Sequence, residues 1–190
     1  MIRPAYPRVV DLSPHERQSR FLESTGSLVL DHDARVAYAA LSPRTDASLA
    51  SEWARELGYD LIAFTAVDQG GVPFYHTNVL MFVGHGLAGV CLDAIRAPAE
   101  RQRVEERLRR DGKEILPLTQ EQTANFCGNC LALSDGAGRP IFVMSSQAWR
   151  HFSEAERARI GRHGRILHAE LSAFERLGGG SARCLMAELF

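Results

Sequence analysis

Three side chains in this sequence combine a reactive type with a setting that suits chemistry. Cys184 follows Gly178-Gly-Gly-Ser-Ala-Arg183, a flexible approach that lets backbone come close to a ligand, and Arg183 stands where a cation favours the nucleophilic thiolate. His76, in Tyr75-His-Thr-Asn78 after the Gly70-Gly-Val-Pro73 turn, titrates near neutrality and can pass protons in both directions. Glu23, in Phe21-Leu-Glu-Ser-Thr-Gly26, offers a carboxylate that can receive a planar cation through paired hydrogen bonds. Taken singly, each has a plainer reading: a small buried thiol, a structural histidine, a loop acid.

Their shared setting is a pattern written four times. Glu23-Ser-Thr-Gly-Ser-Leu-Val-Leu30, His76-Thr-Asn-Val-Leu-Met-Phe82, Phe126-Cys-Gly-Asn-Cys-Leu-Ala-Leu133 and Gly180-Ser-Ala-Arg-Cys-Leu-Met-Ala187 each place a polar or thiol residue before an apolar run. Ser27, Asn78, Asn129 and Cys184 are spaced by 51, 51 and 55 positions, the mark of a repeat architecture. A pseudo-symmetric fold of this kind brings the mouths of equivalent strands around one cavity.

Each repeat reads strand, turn, strand, helix, strand. In the second, Val79 to Val83 is an apolar run, Gly84-His-Gly86 turns the chain, and Leu87 to Ile95 supplies another strand. Pro98 then opens a helix over Ala99 to Arg110 that Gly112 stops, and Ile115 to Leu118 closes the unit. The first repeat matches with Leu28 to Leu30, Arg35 to Leu41, a helix from Asp46 to Leu57 before Gly58, and Leu61 to Thr65. The third gives Leu131 to Leu133, Pro140 to Ser145, a helix from Ser153 to His163 before Gly164, and Ile166 to Leu171. Ser153-Glu-Ala-Glu156 and Ser13-Pro-His-Glu16 have capping-box spacing. The repeats span approximately 21–70, 74–122 and 126–175 within a single partial domain over 1–190, with a final catalytic strand at 181–190. Val9-Val-Asp-Leu12 reads as the closing strand of a unit whose beginning is absent, so three complete units lie between two stubs.

Composition narrows the classes of function. The 190 residues are 45% apolar, enough for a substantial core. The net charge of −1 supplies no field to steer the chain toward nucleic acid or an anionic membrane. Small-molecule chemistry is the class left. Met1 to Arg8 has no signal-like apolar core and no run is long enough to span a bilayer, so the expected location is cytoplasmic and the four cysteines are expected to be reduced. Cys127-Gly-Asn-Cys130 invites a redox or zinc reading, but no second ligand pair accompanies it and it leads into an apolar strand rather than opening a helix. Gly178 to Gly180 is not a phosphate loop, because no Gly-Lys-Ser/Thr follows.

Several motifs in order, Leu22-Glu-Ser-Thr-Gly-Ser-Leu-Val-Leu-Asp31, Ser42-Pro-Arg-Thr45, Tyr75-His-Thr-Asn-Val79, Phe126-Cys-Gly-Asn129 and Gly178-Gly-Gly-Ser-Ala-Arg-Cys-Leu-Met-Ala-Glu188, resemble those of the guanidino-group-modifying (pentein) superfamily. They look closest to its arginine-deiminase-related, citrulline-utilisation hydrolase branch. The resemblance covers about Val9 to Phe190 and implies an α/β pentein propeller of ββαβ units around a central cavity, here an incomplete five-bladed one. It implies that Cys184 attacks the central carbon of a guanidinium or ureido group, that His76 protonates departing ammonia and later activates water, and that Glu23 clamps the planar group. Arg44 is the implied holder of a substrate carboxylate, and Asn78 and Asn129 are the other expected substrate-binding residues, Asn78 at the reacting group and Asn129 shaping the ring around it. No metal and no organic cofactor is implied.

Two departures from the family pattern shape the expectation. Deiminases of free arginine carry an acid where this chain has Asn78, whose amide suits a neutral ureido group such as that of citrulline as well as a cation. Full-length relatives also carry further strand-rich units ahead of the first motif, one of them holding a second substrate carboxylate. The chain alone is therefore expected to be a poor catalyst, completed by an N-terminal portion or as a homo-oligomer. An amidinotransferase, in which an amine replaces water as acceptor, and an inactive pentein kept as a binding module are the alternative readings.

Overall fold

A computed structural model describes residues 9–187; the leading segment Met1 to Arg8 and residues 188–190, with Glu188 of the last motif, lie outside the described residues. Among the described residues nine strands form three separate sheets of three, and each sheet repeats one plan. An antiparallel pair is followed by a helix, which returns the chain to a parallel third strand. In the first unit β1 (Val29–Asp31) pairs with β2 (Val36–Ala40), α2 (Ala47–Leu57) crosses over, and β3 (Asp60–Phe64) lies parallel to β2. The second unit has β4 (Met81–Val83), β5 (Leu87–Val90), α4 (Pro98–Arg110) and β6 (Glu114–Pro117). The third has β7 (Leu131–Ser134), β8 (Pro140–Ser145), α7 (Glu154–His163) and β9 (Arg165–Ala169).

The helix ends fall where their sequence signals put them. Asp46 caps α2 by accepting from the Leu49 N–H, and Gly58 closes it with φ +69°, a left-handed geometry that costs glycine little. Ser153 and Glu156 form the reciprocal capping box at the start of α7. The Ser13 box does not form: Leu12 precedes a 3₁₀ turn over Ser13–Gln18, and Val9 to Leu12 is not a strand. The segment after β5 also differs from expectation, because the chain leaves the strand at Cys91 for a 3₁₀ turn over Leu92–Ala94.

The middle strands are the most deeply buried. Val36 to Ala40 and the core side chains Phe82, Leu87, Phe142 and Met144 are essentially inaccessible. Successive units interlock in two ways. Their first strands β1, β4 and β7 lie side by side, and at their far end buried Lys113 meets buried Asp31 at 2.8 Å and donates to the Gly84 carbonyl. On the outside, the helix of one unit covers the third strand of the unit before it. Arg107 of α4 binds Asp60 at the start of β3, and Arg159 of α7 binds Glu114 at the start of β6 and the Ile115 carbonyl. The His163 and Arg159 hydrogen bonds pull the Glu114 carboxyl down to about 2. In β9 the corresponding first residue is Arg165, and four of the five residues of that strand are exposed.

Candidate functional site

The strand-mouth residues converge, but on short helical turns rather than on strands. Ser27 ends α1 (Ser24–Ser27), Asn78 lies in α3 (Thr77–Leu80), and Cys184 lies in a 3₁₀ turn over Arg183–Leu185. The expected strand at Cys184 is thus a turn among the described residues, and extended backbone resumes only at Met186. Long-range side-chain bonds impose these turns. Thr77 donates to the Ser27 carbonyl and accepts from the Ala40 N–H; the Arg183 N–H donates to Asn129 Oδ1. Close approach is built in as well, since a Cβ on Gly128 would sit 2.2 Å from the Val79 carbonyl oxygen.

At the centre of this belt is the Cys184 sulfur. Asn129 Nδ2 lies 3.2 Å from Sγ and donates to the Asn78 carbonyl at 3.0 Å, while Asn78 Nδ2 lies 3.6 Å from Sγ and donates to the Thr25 carbonyl at 3.2 Å. Both asparagines are 1% exposed, whereas Cys184 is the exposed cysteine of the four. Because Asn78 Nδ2 must face the Thr25 carbonyl, its Oδ1 points the other way, buried and without a hydrogen-bond partner.

Charged groups form a second layer. His76 Nε2 and Glu23 Oε2 are 2.7 Å apart, and Arg44 reaches the same oxygen at 3.5 Å. Burial holds His76 below the usual imidazole range, and the Glu23 hydrogen bond opposes part of that shift. The imidazole is locked from behind, because a Cβ on Gly26 would fall 2.5 Å from its Nδ1. Tyr75, next in sequence, packs its ring 5.0 Å from the imidazole and donates its hydroxyl to the Gly179 carbonyl. Burial raises the Tyr75 hydroxyl, with the nearby Cys184 adding to the effect. Tyr75 was not singled out by sequence; its position beside His76 was the available signal.

All six residues taken from the sequence, Glu23, Arg44, His76, Asn78, Asn129 and Cys184, therefore belong to this one region, joined by side-chain contacts in two groups around adjacent turns. Cys127 and Cys130 do not join it. Burial pushes the Cys127 thiol up to about 12 and Cys130 well above its ordinary value, opposite to the activated thiol that redox chemistry needs. Among the described residues no three His, Cys, Asp or Glu side chains converge as a metal-ligand set. No helix among them is long and apolar enough to cross a membrane.

A family model described as "N,N dimethylarginine dimethylhydrolase, eukaryotic" matches residues 3–190. A search of curated proteins gave no match. Among solved structures, ArgZ, an arginine dihydrolase from the ornithine–ammonia cycle in cyanobacteria, is similar with TM-score 0.66 and 18% identity over 84% of this chain and 22% of that one. The N-terminal domain of ArgZ bound to product gives TM-score 0.65 and 19% identity, covering 84% of this chain and 53% of that one. C. jejuni agmatine deiminase gives TM-score 0.51 and 14% identity over 86% and 55%. These structures share the fold, and the present chain spans about half of their length or less.

Proposed function

The chain belongs to the N,N dimethylarginine dimethylhydrolase family, within the pentein superfamily of guanidino-modifying enzymes, and from that premise we propose that it hydrolyses a carbon–nitrogen bond of a guanidino or ureido compound by covalent cysteine catalysis. The observation that carries this reading is the joint placement of Cys184 on Asn78 and Asn129 with the Glu23–His76 pair, Asn78 lying two residues from His76. In this reading the three sheets are blades of one α/β propeller domain, acting on a small molecule in the cytoplasm.

The chemistry follows from the side chains. The Cys184 sulfur forms a bond to the central carbon of the planar group. His76 gives a proton to the departing nitrogen as the carbon–nitrogen bond breaks, releasing ammonia or an amine. His76 then takes a proton from water, whose oxygen attacks the same carbon; the carbon–sulfur bond breaks and its electron pair returns to sulfur. Glu23 orients the imidazole and faces the positive side of the group, and Arg44 receives a substrate carboxylate. The unpartnered Asn78 Oδ1 accepts an N–H of the bound group, a neutral acceptor that serves a ureido as well as a guanidinium nitrogen.

The test supplies arginine, citrulline and N,N-dimethylarginine separately and measures ammonia or dimethylamine together with the mass of the trapped protein. Release from at least one substrate, with an adduct on Cys184 and loss of about a thousandfold or more in Cys184→Ser, is the expected result. Release that survives that substitution overturns the covalent route. Glycine-dependent transfer of the carbon group, in place of release into water, would move the protein to the amidinotransferases.

A further inference from the structure

Asn129 has no amide hydrogen left to donate to a substrate. Of its two amide hydrogens one goes to the Asn78 carbonyl and the other points at Cys184 Sγ, while its Oδ1 accepts from the Arg183 N–H. The Arg183 bond also fixes the orientation, because a flipped amide would set Nδ2 against another donor. The Asn129 amide is itself only 1% exposed, and a buried donor acts more strongly on a charge than one in water does. Asn78 Nδ2 adds a second, longer donor to the same sulfur.

We propose that Asn129 is a further catalytic residue, whose amide donates to Cys184 Sγ and holds the sulfur in its negatively charged, attacking form, with Asn78 Nδ2 as the weaker second donor. The arrangement is an oxyanion hole turned toward the nucleophile instead of the substrate. It favours the sulfur twice: as the attacking group, and as the leaving group when the carbon–sulfur bond breaks and the electron pair returns to it. The repeat supplies the geometry, since Asn129 stands one unit before Cys184 and the 3₁₀ turn delivers the sulfur to the amide of its neighbour.

The inference refines the proposed hydrolase reading, yet it can be tested without any substrate. Cys91, Cys127 and Cys130 are buried, so iodoacetamide at neutral pH reports on Cys184. The variants are Asn129→Ala, which removes the donor, and Asn129→Asp, which keeps the shape and sets a carboxylate oxygen against the sulfur. Each is expected to alkylate Cys184 about tenfold or more slowly, the size expected for a lost hydrogen bond to a charged group, while its circular dichroism stays native and its melting temperature falls because the Asn78 carbonyl, and in Asn129→Ala also the Arg183 N–H, loses its buried partner. A merely structural role predicts the opposite sign, because loosened packing would label the buried thiols too and speed the reaction. Wild-type or faster alkylation in a folded variant overturns the proposal. Should neither variant fold, native wild-type Cys184 must still react at least about tenfold faster than the same cysteine in the urea-unfolded chain, and an equal or slower rate overturns it. Slowed alkylation without hydrolysis of any guanidino or ureido compound would sustain this inference and sink the functional reading. Hydrolysis with unchanged alkylation would do the reverse.

Discussion

Asn78 and Asn129 sit beside Cys184 at 1% exposure, neutral and tied to backbone, Asn129 through both ends of its amide and Asn78 through Nδ2, whereas the Glu23 and Arg44 side chains next to them are 42% and 53% exposed and carry charge. His76 stands between the two groups, 13% exposed. The first group has its geometry set by packing and by hydrogen bonds from amides that are themselves buried. The second is open to solvent, where ion pairs are screened and worth little by themselves. A site built this way fixes the attacking atom and leaves the proton-handling and substrate-holding groups adjustable. Changes in the buried group should therefore be felt in kcat, and changes in the open group in KM and in pH dependence.

The sharpest way to break that division is at its seam. Gly26 is buried in the turn before β1 and its missing side chain is the space the His76 ring occupies. Gly26→Ala places a Cβ 2.5 Å from Nδ1, so the imidazole must move. A displacement of about 1 Å at a reacting group costs about a hundredfold, and kcat is expected to fall by that order. Steady-state kinetics beside a melting curve checks it; an unchanged kcat would show that the imidazole belongs with the adjustable groups.

Next in size is Glu23→Gln, which removes the charge but keeps a hydrogen-bond acceptor. A tenfold loss, or about 1.4 kcal/mol, is expected in kcat/KM. Because Glu23 raises His76 against the effect of burial, its loss lowers His76 further, and the alkaline limb of the pH–rate profile, where His76 loses the proton it must give to the departing nitrogen, moves to lower pH. An upward move would contradict the assigned pairing. The same shift bears on stability. With His76 lower in the folded than in the unfolded chain, the unfolded chain binds more protons as pH falls through the unfolded value of 6.5. The contribution is complete above that value and declines below it. Urea unfolding of wild type and His76→Gln on either side of pH 6.5 should show the variant gaining on the wild type at the lower pH.

Helices with chemical punctuation were readable in the sequence: Asp46 and Gly58 bound α2, Ser153 and Glu156 open α7, and Pro98 opens α4. Two further helices had the same kind of signal unread. Thr119 and Gln122 form a capping box for α5 (Gln120–Ala124), and Ser145 caps α6 (Ser146–His151) directly at the end of β8. The helix α8 (Ser172–Gly178) had no side-chain cap to announce it. Val79 and Leu80 read as strand because their apolar run continues into β4, yet Thr77 folds them into a turn through partners in another unit, 37 and 50 residues away. The cradle around Cys184 was hidden for the same reason. Repetition located Asn78, Asn129 and Cys184, but which atom faces which depends on hydrogen bonds that cross 55 and 106 residues.

The smallest effect expected tests the boundary from the open side. Tyr75 donates its hydroxyl to the Gly179 carbonyl across 104 residues at 3.0 Å, tying the segment that bears His76 to the glycine loop before Cys184. Its ring also lies beneath the Arg44 guanidinium, 5.4 Å from its centre, and beside the imidazole. Tyr75→Phe keeps both ring contacts and deletes one hydrogen bond at a partly exposed site, a loss of about 1 kcal/mol or roughly fivefold. Since Asn78, Asn129 and the Arg183 N–H hold the sulfur without help from the loop carbonyl, the loss should fall on KM as the loop opens, with kcat unchanged. If kcat falls while KM holds, the Tyr75 hydroxyl acts on the placement of Cys184, and the rigid region extends through the glycine loop to Gly179.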